Sequence, residues 1–208
     1  MILSFDTSTK AFSMALYSGR EVVNLEIVRD TFHSQNIVGV TDFLLKSIDA
    51  SIKEVNEIYA GIGPGSFTGI RIGLSFANTL LETMDIPLAG ICSLDLLAFD
   101  EGQWYNAVVS FIKSRKNEVY TAAYRNGRRT SEYLALEKEE FKCFIRDNSP
   151  TYIVASEEDC KILSFEQCLD EIEIVHAFPK AQNAYSLAQQ CKLTPARRYL
   201  KPLYVRDF

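Results

Sequence analysis

Histidine is nearly missing from this chain: only His33 and His176 occur in 208 residues, far apart and in no H-x-x-x-H pair. A helical i, i+4 pair is the economical way to build a zinc or iron site, so a metal centre of that kind is not expected. Cysteine is scarce and unpatterned. The five (Cys92, Cys143, Cys160, Cys168, Cys191) are odd in number, and no two stand as C-x-x-C. They read as small, partly buried thiols of a reducing cytoplasm. No stretch reaches the roughly 18 uninterrupted apolar residues of a membrane helix. The first residues, Met1 to Asp6, enter a strand-like run with no basic segment, unlike a secretory leader. No paired-carboxylate motif, Ser/His/Asp signature or G-x-S-x-G elbow is present.

What the chain does have is ordinary globular composition, 47% hydrophobic and 24% charged with a net charge of −5. That excludes a disordered chain and allows one large domain or two lobes of roughly 100 residues. An acidic chain is a poor free-standing nucleic-acid binder, because phosphate contact needs a positive surface. The charge is uneven, however. The stretch 157–173 is acidic, while 192–206 holds Lys192, Arg197, Arg198, Lys201 and Arg206. The bland reading of such runs is a solvated face.

Hydrophobic patterning gives three strands, 2–5, 12–17 and 22–28, then a helix from Ser34, its expected cap, to Ile52. That helix is apolar over more of its circumference than one buried face requires. A buried strand at 57–62 runs into Gly63-Pro64-Gly65-Ser66-Phe67-Thr68-Gly69 and a helix over 70–82. A strand at 86–91 and a helix capped by Ser93 close an α/β first half. After Gly102 the pattern starts again. Strands are expected at 105–113, 118–125 and 130–136, with Asn126-Gly127 as a hairpin turn. A helix at 137–147, a strand at 152–155 and a helix at 184–190 follow. No sequence identity links the halves; only the pattern repeats.

Two segments could carry chemistry. The strand, glycine loop and helix start at 61–73 suit an anion, through exposed N–H groups and the helix dipole. The loop lacks the Gly-Lys-Ser/Thr of a Walker A motif, and a tight turn with glycines at positive φ explains it equally. Asp6-Thr7-Ser8-Thr9 ends the first strand, where a carboxylate and hydroxyls could hold a metal-bound phosphate or simply form an Asx turn. Gly69, Gly73 and Ala77 recur every four residues, a bare stripe that permits another helix to approach closely.

Together these segments resemble the TsaB (YeaZ) family. The resemblance rests on MILSFDTST at 1–9, His33-Ser34, GPGSFTGIRIGLSFA at 63–77, PLAGICSLDLLA at 87–98, SRKNEVY at 114–120 and PLYVRD at 202–207. It implies an actin-like (ASKHA, ribonuclease H-like) α/β fold of two βββαβα lobes, residues 1–100 and 101–208. It also implies a role in making N6-threonylcarbamoyladenosine at position 37 of ANN-decoding tRNAs. In that family the chain is a non-catalytic cytoplasmic subunit. It supports a related transferase, TsaD, which holds a metal through a histidine pair, and an ATPase, TsaE, joins them. ATP and metal are therefore expected on the partners, with no cofactor on this chain and tRNA met only through the complex.

The same resemblance implies a helical-bundle interface, for TsaD or a homodimer, at Ile37, Val38, Thr41, Leu44, Leu45 and Ile48 with Gly69, Gly73, Ala77 and Leu80. Asp6, Thr7, Ser8, Gly63 and Gly65 become remnants of a nucleotide site. Arg197, Arg198 and Lys201 become candidate tRNA contacts. One departure stands out: the family usually has Asp-Ala-Arg where this chain has Lys113-Ser114-Arg115. In actin-like folds an Asp on that strand helps place the nucleotide metal. The alternative is an independent actin-like ATPase or phosphotransferase using Asp6 and the Gly63–Gly69 loop. A peptidase, an older label for relatives, has no visible ligands or nucleophile.

Overall fold

The computed structural model describes residues 1–19, 21–28, 36–99, 104, 106–163 and 172–205. Strand β1 (Ile2–Asp6) alternates across its pleat, sending Leu3 and Phe5 to one face and Ser4 and Asp6 to the other. Strands β2 (Ala11–Ser18) and β3 (Glu21–Val28) add an antiparallel meander on one side of it. On its other side β4 (Glu57–Gly61) and β5 (Leu88–Ile91) run parallel. The order is β3-β2-β1-β4-β5. Helices α1 (Ile37–Ser47) and α2 (Phe67–Met84) cover one face, packing Leu44, Leu45, Ile70 and Leu74 onto Leu3, Phe5, Met14 and Ile58.

The second sheet repeats the plan. Strands β6 (Val108–Arg115) and β7 (Glu118–Arg125) pair antiparallel, and the short β8 (Arg128–Arg129) and β9 (Leu134–Glu137) both pair with β7. Parallel to β6 run β10 (Tyr152–Ala155) and then β11 (Glu173–His176), in the order β11-β10-β6-β7-β8. Adding α3 (Ser93–Ala98), α4 (Lys138–Asn148), α5 (Glu157–Leu163) and α6 (Ala184–Gln190), each half reads βββαβαβα, with β8 and β9 sharing the third strand's place. Parallel pairs need crossover helices, which is why the helices fall where they do.

Two helices change sides. Helix α3 packs on β6, β7 and β10, whereas α6 packs on β1 and β4. A middle layer results, in which Tyr59 and Ile91 of the first sheet meet Leu94, Leu97 and Leu187, and these meet Val108, Tyr124 and Val154 of the second. The last residues return to the first half. Ala196 exchanges two backbone hydrogen bonds with Leu88, Asn78 brackets Leu200, and Leu203 N–H donates to Ile62 O at 2.8 Å.

Three expected boundaries move for local reasons. Ser34 lies outside the described residues; Asn36 precedes the first helical residue, and α1 stops at Ser47 because Asp49 turns left-handed at φ 52. Helix α2 starts earlier than expected, since the Ser66 hydroxyl accepts from Gly69 N at 3.2 Å and caps it. Ser93 does not cap α3: Cys92 stands at that position, and the Ser93 hydroxyl is used elsewhere.

Candidate functional site

A cleft of about 690 Å³ separates the two halves. Its first wall is the β1–β2 turn, Ser8 to Lys10, together with the loop Pro64 to Phe67 at the start of α2. Its second wall is the end of β6, Ile112 to Arg115, with Ser156, Glu158 and Asp159 at the start of α5. Tyr204 and Val205 of the returning tail line the cleft too.

The first wall is built inward. Asp6 is fully buried; one carboxylate oxygen accepts from the Ser8 N–H (2.8 Å) and hydroxyl (2.6 Å), the other from the Ser93 hydroxyl at 2.6 Å. A Cβ at Gly61 would fall on this carboxylate, so glycine there is what lets Asp6 pack under the sheet. The Thr7 hydroxyl donates to Gly69 O at 2.8 Å, and Ser66 N–H donates to Ser8 O at 2.6 Å. These bonds stitch the β1–β2 turn to the helix loop. Gly65, at φ 149, permits that approach, because a Cβ there would strike the Ser8 carbonyl.

The second wall is open and carries charge of both signs. Lys113 and Arg115 are exposed. Ser114 donates to Glu118 at 2.8 Å, and Lys113 N–H to Asp159 at 3.4 Å. Burial pushes the Asp159 carboxyl up from its ordinary value, against the pull of Ser156 and the Lys113 N–H. Across the cleft mouth Lys10 Nζ meets both oxygens of Glu158, at 2.9 and 2.7 Å, with both side chains half exposed.

These walls fit a metal-bound nucleotide poorly. The Asp6 oxygens are committed to three donors beneath the wall, and an ammonium stands where the opposite strand would present a carboxylate.

A family profile described as "TsaD: tRNA N6-adenosine threonylcarbamoyltransferase" matches residues 28–140, more than half of the chain. The chain belongs to this family. Among named relatives, the tRNA threonylcarbamoyladenosine biosynthesis protein TsaB of Escherichia coli is 34% identical over 128 residues, 60% of this chain and 54% of that protein. The Bacillus subtilis TsaB is 33% identical over 126 residues, 60% and 55%. The chain thus spans about half the length of these curated relatives. The Buchnera aphidicola TsaB (Acyrthosiphon pisum symbiont) is 26% identical over 82% of this chain and 80% of its own. Two Pseudomonas aeruginosa structures share the fold. YeaZ has a TM-score of 0.79, 22% identity and 98% coverage of both chains; a protein described as similar to peptidase YeaZ has 0.83, 23% and 99%. The TsaB/YeaZ resemblance and the actin-like, ribonuclease H-like fold agree with these matches.

Within this family fold, the residues expected at an interface mostly face inward. Ile37, Thr41, Leu44 and Leu45 are buried against the chain's own sheet, and Ile48 packs beside them. Gly69 and Gly73 are bare because Thr7 presses on both: a Cβ at either would collide with its carbonyl or hydroxyl. Ala77 and Leu80 are core residues. The stripe therefore receives the β1–β2 turn, not a second helix. The large apolar side chains left outward on α1 are Val38, 66% exposed, and Phe43, 61% exposed, with the ion-paired Asp42 and Lys46 between them. On α2, Phe67 is exposed beneath the Arg71 guanidinium, 3.8 Å from its ring centre.

The remaining candidates separate. Gly63 sits at φ 95 with Ile70 Cδ1 where a Cβ would be, so it serves the turn. Arg197 pairs with Asp85 at 2.8 Å, while Arg198 and Lys201 are exposed. His33 and Arg206 lie outside the described residues. Sequence reading did not single out Lys10, Glu158, Asp159 or Phe43. Lys10 and Glu158 are 148 positions apart, and only the doubled fold brings them together. An outward Phe on an otherwise well-buried helix was the one available signal. Among the described residues no helix is long and apolar enough to cross a membrane.

Proposed function

We propose that this chain is a non-catalytic, TsaB-type subunit of the cytoplasmic machinery that places threonylcarbamoyl on adenosine 37 of ANN-decoding tRNAs. The observation that carries this reading is Asp6. The carboxylate that an actin-like nucleotide engine would aim at its metal is spent on Ser8 and Ser93, and the exposed Lys113 lines the other wall of the cleft. The names of the TsaB relatives support the pathway.

The partner is a TsaD homologue, seated on the outward arc of α1, where Val38 and Phe43 flank the Asp42–Lys46 ion pair, and on the start of α2. Burying exposed apolar side chains at its centre is what a stable interface needs. A homodimer would use the same arc and compete. ATP and metal belong to the partner subunits, with TsaE among them.

Sedimentation velocity of the chain with its own organism's TsaD homologue tests this. A heterodimer is expected for the wild type, and Phe43→Asp should weaken it at least about tenfold, as for a buried aromatic anchor. No heterodimer at micromolar concentration, or one indifferent to Val38→Asp and Phe43→Asp, would sink the reading.

A further inference from the structure

The tip of the β7–β8 hairpin breaks a local rule. Arg125 and Arg128 are direct cross-strand partners, so both side chains rise from the same face of the ribbon. Cross-strand neighbours have Cβ atoms about 5 Å apart, and like charges placed so repel. Among the described residues neither arginine has a carboxylate partner; Arg125 reaches only the Asn148 carbonyl, at 3.0 Å, at the end of α4. Both are exposed, on a chain with a net charge of −5 that has acidic side chains to spare.

The hairpin is also held still. Asn126 (φ 52) and Gly127 (φ 72) form the tight two-residue turn that matches strand twist. Gly127 N–H donates to Trp104 O at 3.0 Å, fixing the tip to the core. Arg129 lies over the Tyr133 ring, 4.0 Å from its centre, which leaves the pair at 125 and 128 as the outward cations. A local conflict retained on a rigid element is the mark of a site that serves something other than stability.

We propose that Arg125 and Arg128 form a contact for the phosphodiester backbone of RNA. This rests on the functional reading above, in which the substrate is a tRNA. Guanidinium forks bind phosphate bidentately. Two of them, side by side on a stiff ribbon, suit successive single charges along a continuous backbone better than carboxylates on the separate flexible arms of a peptide. The contact is local: the chain as a whole carries a net charge of −5, so it positions RNA and does not hold it tightly alone.

The test is fluorescence anisotropy of an end-labelled, unmodified ANN-decoding tRNA transcript, titrated with the full chain at about 50 and about 200 mM salt. Weak, salt-dependent binding is expected for the wild type. Arg128→Glu should lose at least about tenfold in affinity at the lower salt and flatten the salt slope by about two, one unit for the lost Arg128 contact and one for Arg125, which the new carboxylate engages across the ribbon. The same substitution should raise the thermal midpoint, since the like-charge pair becomes an opposite-charge pair. Lower affinity with higher stability cannot come from misfolding. Absent binding by the wild type, or equal affinity and slope in Arg128→Glu, would overturn the proposal. So would polyglutamate of matched charge binding as well as tRNA with the same dependence on Arg128. Arg128→Glu should leave association with the TsaD homologue intact. An RNA contact without that association would overturn the subunit reading and leave this one standing.

Discussion

The two halves share one strand order but end their first strands in opposite ways. Strand β1 runs into Asp6, buried and bonded to three donors; β6 runs into Lys113-Ser114-Arg115, two exposed cations around a serine. The loops that follow the fourth strands differ likewise. From the end of β4 the chain needs glycine at 61, where the Asp6 carboxylate stands, and at 65 and 69, where Ser8 and Thr7 of the β1–β2 turn press against it. After β10 no glycine occurs, and Ser156 simply caps α5 by accepting from Asp159 N–H at 3.1 Å. One topology thus yields a welded wall and an open wall. Close packing decides which, and the welded one holds the carboxylate.

The sharpest way to break this contrast is to add one methyl group. Gly69→Ala places a Cβ inside the Thr7 carbonyl, whose strand end cannot retreat, and should cost about 3 kcal/mol in urea denaturation. Its counterpart in the open half, Ser156→Ala, should cost about 1 kcal/mol, the ordinary loss of a helix cap. Next in size is Asp6→Ala, which strands the Ser8 and Ser93 donors in the core at about 2–3 kcal/mol. Lys113→Asp should move stability by less than about 0.5 kcal/mol, as exposed substitutions do. Equal costs for Asp6 and Lys113 would erase the distinction between the walls.

A subtler probe is Asp95, which joins the halves by accepting from the Tyr124 hydroxyl (2.8 Å) and the Tyr133 hydroxyl (2.6 Å). Burial raises its carboxyl above the ordinary value, outweighing the two tyrosines. The folded chain therefore keeps a proton that the unfolded chain has released. Stability from this group is full below the ordinary carboxylate range and is lost as pH climbs through the raised value. Denaturation midpoints of Asp95→Asn should lack that decline; a parallel pH profile would mean that another group carries it. Small too is Lys10→Ala, which should cost under about 1 kcal/mol despite spanning the cleft, because both members of its ion pair with Glu158 are half exposed.

Helix α6, with one face buried and the other exposed, falls on the expected residues, and so do strands β7 and β10, which are apolar runs buried on both faces. Helix α5 and strand β11 escaped notice: the first opens with Glu157, Glu158 and Asp159, and the second exposes three of its four residues, so neither shows an apolar rhythm. The bare stripe on α2 was visible, but not its occupant. Thr7 contacts Gly69 across 62 positions, and no local pattern distinguishes a turn from a partner helix there. The wide apolar arc on α1 was visible too, but not its division: Ile37, Thr41, Leu44 and Leu45 are buried within the chain, while Val38 stays exposed.

In the function proposed here, the welded wall takes the Asp6 carboxylate out of service as a nucleotide-metal ligand. Calorimetric titration of the isolated chain with Mg-ATP is the decisive measurement. No saturable heat is expected up to millimolar nucleotide, for the wild type and Asp6→Asn alike. Stoichiometric micromolar binding that disappears in Asp6→Asn would contradict it and return the chain to the actin-like ATPases.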